Sequence, residues 1–145
     1  MHGALLHTGK REAESMDPQH ALALRLVDDA LADAGVERES LAGTRTGVYV
    51  GLWDVEHRPS GGGSVYDVLG SNPSLAAGRI SYAFDLRGPS KVINTACASS
   101  LEAVLAAATD LQLGRSEWGV AGGVKQVGRR WCTLFLYYQL LRVDV

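Results

Sequence analysis

Apolar positions fall into two rhythms along this chain: short continuous runs between glycines, and longer stretches in which they recur every three or four residues. The first helical stretch opens at Met16-Asp17-Pro18-Gln19. Asp17 is a good N-cap because its carboxylate accepts backbone N–H bonds, and Pro18 suits the first helical position, where its missing donor is not needed. Ala23, Leu24, Val27, Ala30, Leu31 and Ala34 then share one face, opposite Asp28, Asp29 and Asp33. Gly35 can take the left-handed conformation that ends a helix, so the pattern predicts a helix over Pro18–Ala34.

"RTGVYVGLW" (Arg45–Trp53) is β-branched and aromatic between glycines, which predicts a buried strand. "HRPSGGGS" (His57–Ser64) reads as a flexible loop. Asn72-Pro73 repeats the cap-then-proline signal and opens a helix over "SLAAGRISYAF". Gly78 weakens that helix by about 1 kcal/mol relative to alanine, which predicts a close packing partner there. "LRGPS" (Leu86–Ser90) is a turn and "KVINTA" (Lys91–Ala96) a second strand. From Ala98 the period is helical again: Leu101, Val104, Leu105, Ala108 and Leu111 line one face and Gly114 closes the element. Ala103, Ala106, Ala107 and Ala108 allow another backbone to come close. "EWGVAGGV" (Glu117–Val124) reads as a third strand. Strands alternating with helices predict a layered α/β architecture. "WCTLFLYYQLL" (Trp131–Leu141) is shorter than the roughly 20 apolar residues a membrane span requires. A buried strand, a buried helix and a sticky tail all fit it.

Composition narrows the function classes. At 145 residues the chain fits one domain, and a net charge of −2 offers no basic surface for nucleic acid or an anionic membrane. Its two cysteines, Cys97 and Cys132, are too few and too far apart for a disulfide framework, so a reduced, cytoplasmic setting is expected. The opening "MHGALLHTGKREAES" is too polar for a signal peptide. Gly61-Gly62-Gly63 and Gly122-Gly123 match neither a Walker loop nor a dinucleotide fingerprint, so no nucleotide cofactor is expected. Arg79 and Arg87 read as solvated, and Trp53, Tyr66 and Tyr82 as core or edge aromatics.

Cys97 lies in "NTACASSL", between the end of a strand and the start of a helix. Unsatisfied N–H groups and the helix dipole both favour a thiolate there, and the same amides can stabilise an oxyanion on a thioester carbonyl. Serine nucleophile elbows use a similar strand–turn–helix geometry. Against this, free cysteine is among the most buried residue types and commonly acts as a small hydrophobe. His2, His7, His20 and His57 are the available bases, and the spacing brings none of them to Cys97. The residues alone leave both readings open.

Five blocks carry a resemblance: "REAESMDPQH", "LAGTRTGVYVG", "LAAGRISYAFDLRGPS", "NTACASSLEAVLAAATDLQLG" and "GVAGGV". In this order they resemble the β-ketoacyl synthase family, above all the ketosynthase domains of modular polyketide synthases and related fatty acid synthases. The resemblance implies an incomplete first half of a thiolase-like layered α/β fold, with residues 11–128 as the partial ketosynthase domain and 1–10 and 129–145 outside it. It aligns Cys97 with the nucleophile that takes an acyl chain as a thioester, for decarboxylative condensation with a malonyl-type extender. It further implies delivery on the phosphopantetheine arm of an acyl carrier protein, no directly bound cofactor or metal, and a homodimer or other synthase domains as partners.

The sequence also departs from the family. The family's two catalytic histidines, a structural lysine and a glycine-rich phenylalanine loop belong to a C-terminal half that has no counterpart here. "MHGALLHTGK" replaces the opening strand, and Asn94 stands where the nucleophile block usually has an acidic residue. Two functions follow as expectations: an acyl-accepting ketosynthase piece, or a non-catalytic fragment that pairs through exposed Val92, Leu101 and Leu105. Thiolases and chalcone-synthase-like enzymes share the architecture but fit the "MDPQH" and "GRISYAFDLRGPS" blocks poorly.

Overall fold

The computed structural model describes residues 9–54 and 64–125, and the backbone of residues 137–142. Four strands form its sheet: β1 (Thr46–Gly51), β2 (Ser90–Ile93), β3 (Trp118–Gly123) and β4 (Tyr137–Arg142), in the order β2-β1-β3-β4. β1 runs parallel to both β2 and β3, while β4 lies antiparallel to β3. The end of the apolar C-terminal run is therefore a strand; Trp131 and Cys132 lie outside the described residues.

β1 is buried along its whole length, as a central parallel strand must be. Its period of two divides the core. Val48 and Val50 face one way, into a cluster with Val120, with Ala23, Leu24, Val27 and Leu31 of α2 (Pro18–Asp33), and with Ala76, Ala77 and Ile80 of α5 (Leu75–Ala83). Tyr49 faces the other way with Ala121, against Ala103 and Ala107 of α6 (Ser99–Gln112). Helices thus cover both faces of the sheet, and each buried valine or leucine contributes about 1.5–3 kcal/mol.

The α2 signals act as read. Asp17 accepts from the Gln19 amide at 2.8 Å, Pro18 opens the helix, and Gly35 follows at φ +66°. The α6 face differs from expectation. Its buried side is Ser99, Ala103, Ala107, Asp110 and Leu111, whereas Leu101 and Leu105 are 62% and 51% exposed. The cause is the closeness of the sheet: at Gly119, a Cβ would already touch Ala107, so the helix approaches on its alanines and turns its leucines outward. The expected close partner of Gly78 is missing as well, since nothing described lies within 4 Å of its Cβ direction.

Three helices carried no clear periodic signal because they are too short for one: α1 (Lys10–Ser15), α3 (Arg38–Leu41) and α4 (Val65–Ser71). Ser64, read as the end of a loop, is the N-cap of α4 in a capping box with Asp67; residues 57–63 of that loop lie outside the described residues. Arg87 is exposed beside Asp85, as read, but Arg79 is not a solvated residue. It is largely buried, pairs with Glu12 of α1 and donates to the Leu69 carbonyl at 3.2 Å, tying α5 to α1 and α4. Trp53, Tyr66 and Tyr82 are exposed.

His20 is 1% exposed, and neither ring nitrogen has a hydrogen-bond partner among the described residues. Burial lowers its pKa from 6.5 to about 4, with Asp17 opposing the shift and Arg79 adding to it. The unfolded chain therefore binds a proton near pH 6.5 that the folded chain refuses until about pH 4. Stability from this group is complete above pH 6.5 and is lost between there and pH 4, by about 3 kcal/mol at most. Urea unfolding at a series of pH values should show this decline, and His20→Leu should flatten it. An unchanged slope in His20→Leu would assign the decline to other groups.

Candidate active site

The parallel strands β1, β2 and β3 end on the same edge of the sheet, and the chain crosses that edge from β2 into α6. In open α/β sheets this carboxyl edge, beside a central strand whose connections leave to both sides, is where ligands bind. After Ile93 come Asn94 and Thr95, then a 3₁₀ turn over Ala96–Ala98, then α6. Cys97 is the middle residue of that turn and is exposed.

Two glycines seat the start of α6 on this edge. A Cβ at Gly51, the last residue of β1, would lie 2.6 Å from the Ser100 nitrogen and from the Ser99 carbonyl carbon. A Cβ at Gly123, the last residue of β3, would lie 2.6 Å from the Ser100 Cβ. The glycines of "GVYVG" and "AGG" are thus the surface on which the first turn of α6 rests.

The turn itself is held in an unfavourable conformation. Ala96, directly before Cys97, has φ +53°, a region that costs a non-glycine residue on the order of 1–2 kcal/mol. Buried Ser99 counteracts this: its hydroxyl accepts from the Thr95 amide at 2.9 Å and donates to the Ala96 carbonyl at 2.7 Å. Asn94 adds a bond from the other side, accepting from the Ala96 amide at 3.2 Å. The Ala98 amide bonds the Thr95 carbonyl at 3.2 Å. The Cys97 amide has no acceptor among the described residues, and no side chain caps α6. Cys97 therefore precedes α6 at the positive end of that helix's dipole.

Sequence reading found Cys97 but missed Ala96 and Ser99. An alanine gives no signal of positive φ, and a serine in the first turn of a helix reads as ordinary. Trp53 and Lys125 stand at the same edge, the Lys125 ammonium 5.8 Å from the Trp53 ring centre. His20 belongs to the α2 layer on the opposite face, so it does not reach Cys97; His2, His7 and His57 lie outside the described residues. No group of three or more potential metal ligands occurs among the described residues.

At the far end of α6 is a buried carboxylate that the sequence did not signal. Asp110 accepts from the Tyr49 hydroxyl at 2.9 Å, from Lys91 at 2.6 Å and from Arg115 at 3.1 Å. Its pKa is held below the ordinary value chiefly by the Lys91 hydrogen bond, against the opposing effect of burial. Burial also pushes the Tyr49 hydroxyl up to about 12, so it remains a donor. β1, β2 and the loop before β3 are thereby tied to the helix that begins beside Cys97.

Residues 3–141 match the family model of the β-ketoacyl synthase N-terminal domain. The chain belongs to the β-ketoacyl synthase family. It is 42% identical over 125 residues to the Streptomyces orinoci spectinabilin polyketide synthase system protein NorA, covering 83% of this chain and 7% of that one. It is 43% identical over 126 residues to the polyketide synthase component of lovastatin nonaketide synthase from Aspergillus terreus, covering 80% of this chain and 4% of that one. Two oxazolomycin ketosynthase domains of Streptomyces albus JA3453 share its structure. OzmH KS8 matches with a TM-score of 0.71 at 35% identity, over 88% of this chain and 30% of that one. OzmH KS7 matches with a TM-score of 0.74 at 36% identity, over 86% and 23%. The fold is thus part of the thiolase-like layered α/β fold of ketosynthases, and the chain spans less than a tenth of the length of the two synthase proteins and less than a third of the two ketosynthase chains. The relatives it matches are polyketide synthases and ketosynthase domains. No helix among the described residues is long and apolar enough to cross a membrane.

Proposed function

We propose that Cys97 accepts an acyl chain as a thioester from the phosphopantetheine arm of an acyl carrier protein. The observation that carries this is the exposed sulfur in a strained turn, between the end of a parallel strand and an uncapped helix start. In this step the Cys97 thiolate attacks the carrier thioester carbonyl and a tetrahedral oxyanion forms. The Cys97 amide, without an internal acceptor among the described residues, donates to that oxyanion. The carbon–sulfur bond to the carrier then breaks, leaving the acyl group on Cys97 and a phosphopantetheine thiolate that takes a proton from solvent. Decarboxylation of the extender, and condensation, require groups that the described residues do not supply. The acyl-enzyme half-reaction is the step that Cys97 and its amide are suited to.

Incubation with an acyl N-acetylcysteamine thioester, followed by intact mass measurement, should give one acyl adduct that is absent from Cys97→Ala. A folded chain whose Cys97 alkylates readily but never acylates would overturn the reading. The exposure of Leu101 and Leu105 favours a second reading, a piece that serves only to pair with another ketosynthase subunit. Light scattering on the same sample distinguishes the two: that reading requires a dimer or mixed complex without an adduct.

A further inference from the structure

Asn94 does more than lead into the turn. Its side-chain amide faces two elements at once: Nδ2 donates to the Trp53 carbonyl at 2.8 Å, and Oδ1 accepts from the Ala96 amide at 3.2 Å. Trp53 lies just past the end of β1, and Ala96 is the residue at φ +53° that precedes Cys97. The backbone is already tied nearby, through the Leu52 amide to the Ile93 carbonyl at 3.1 Å and the Val124 amide to the Gly51 carbonyl at 3.0 Å. β1 is therefore a fixed reference, and Asn94 is the side chain that extends this reference to the strained residue. A carboxylate at this position could accept from Ala96 but could not donate to Trp53; an amide does both.

We propose that Asn94 is a positioning residue for acyl transfer, a two-ended strap that sets the direction of the Cys97 sulfur and amide by holding Ala96 in its left-handed conformation. The proposal rests on the reading of Cys97 as acyl acceptor. A non-glycine residue at positive φ persists only when its surroundings over-determine it. Ser99 fixes the carbonyl side of Ala96 and the amide of Thr95, while the Ala96 amide itself depends on Asn94. Without that bond the peptide between Thr95 and Ala96 can rotate toward ordinary φ, and the following Cys97 amide turns with it. The sulfur stays exposed, but sulfur and amide no longer meet the same carbonyl.

Two reactions separate orientation from access. Alkylation by iodoacetamide needs an exposed thiolate only; acylation by an N-acetylcysteamine thioester also needs the amide donor in register. Asn94→Ala should lower the acylation rate about tenfold, the equivalent of roughly one hydrogen bond, with alkylation within about threefold of the wild type. Asn94→Asp restores the acceptor for Ala96 and should recover acylation to about a third of wild type. Equal losses in both reactions for Asn94→Ala, or no loss in either, would overturn the proposal. If Asn94→Ala does not fold, failure of folded Asn94→Asp to acylate above a tenth of the wild-type rate would overturn it. A wild-type chain that alkylates at Cys97 but never acylates would overturn the acyl-acceptor reading instead.

Discussion

Gly51→Ala should destabilise the chain by about 3 kcal/mol or more, while the same substitution at Gly78 should stabilise it by up to about 1 kcal/mol. At Gly51 the added methyl meets the Ser100 nitrogen and the Ser99 carbonyl carbon at 2.6 Å and the Ser100 Cα at 2.8 Å. These are backbone atoms in the first turn of α6, and no rotamer change relieves them. Either α6 lifts off β1 or β1 shifts within a sheet that hydrogen-bonds it on both sides. At Gly78 nothing described lies within 4 Å, so a methyl gains helix propensity without a clash. Urea midpoints at constant m-value would measure both effects. A Gly51→Ala chain within about 0.5 kcal/mol of wild type would show that α6 does not rest on β1 as described.

The same contact joins stability to the site. Lifting the first turn of α6 moves Ser99, whose hydroxyl holds the Thr95 amide and the Ala96 carbonyl. Cys97 should then alkylate in Gly51→Ala but lose its ability to acylate, even where enough folded chain survives to be assayed.

Much of this was legible in the chain. β1 and β3 stand out because a strand buried on both faces must be continuously apolar, and "GVYVG" and "GVAGG" are. α2 stands out because its cap, proline and stop signals agree with its period. The face of α6 was misread for a physical reason. Periodicity gives a helix two candidate stripes, leucine-rich and alanine-rich, and hydrophobicity alone selects the leucines. What decided between them was the distance of closest approach, set by glycines on other elements: Gly51, Gly119 and Gly123 let the sheet come so near that Ser99, Ala103 and Ala107 face it along the first turns of α6, with Leu111 the one leucine on that side. Arg79 escaped for a related reason, since its partner Glu12 lies on α1, far away in sequence. Cys97 was visible as a residue type at a strand–helix junction. The conformation that makes the junction usable, Ala96 at positive φ between Asn94 and Ser99, left no mark on composition or period.

Asp110→Ala should cost about 2–4 kcal/mol, because it leaves a buried tyrosine hydroxyl and two cations without the carboxylate that organises them. Tyr49 is fully buried and would keep only the Ser116 hydroxyl at 3.2 Å. Lys91 and Arg115 are about half exposed, so water replaces part of what they lose, and the cost falls below that of a fully buried ion pair. The sign with pH follows from the direction of the shift. The Asp110 pKa is lower in the folded chain than in the unfolded one, so its contribution is complete above the ordinary carboxylate range, near pH 4. It is lost as pH falls through the folded value. That window lies below the decline assigned to His20, between 6.5 and about 4, so the two can be separated in one titration of stability. Asp110→Asn should flatten the lower limb and leave the upper one in place, while His20→Leu does the reverse. Because Asp110 sits about 20 Å along α6 from Cys97, Asp110→Asn should leave iodoacetamide alkylation unchanged in the chains that remain folded. If Asp110→Asn left the lower limb unchanged, the network around Asp110 would be the wrong source for the acid sensitivity below pH 4.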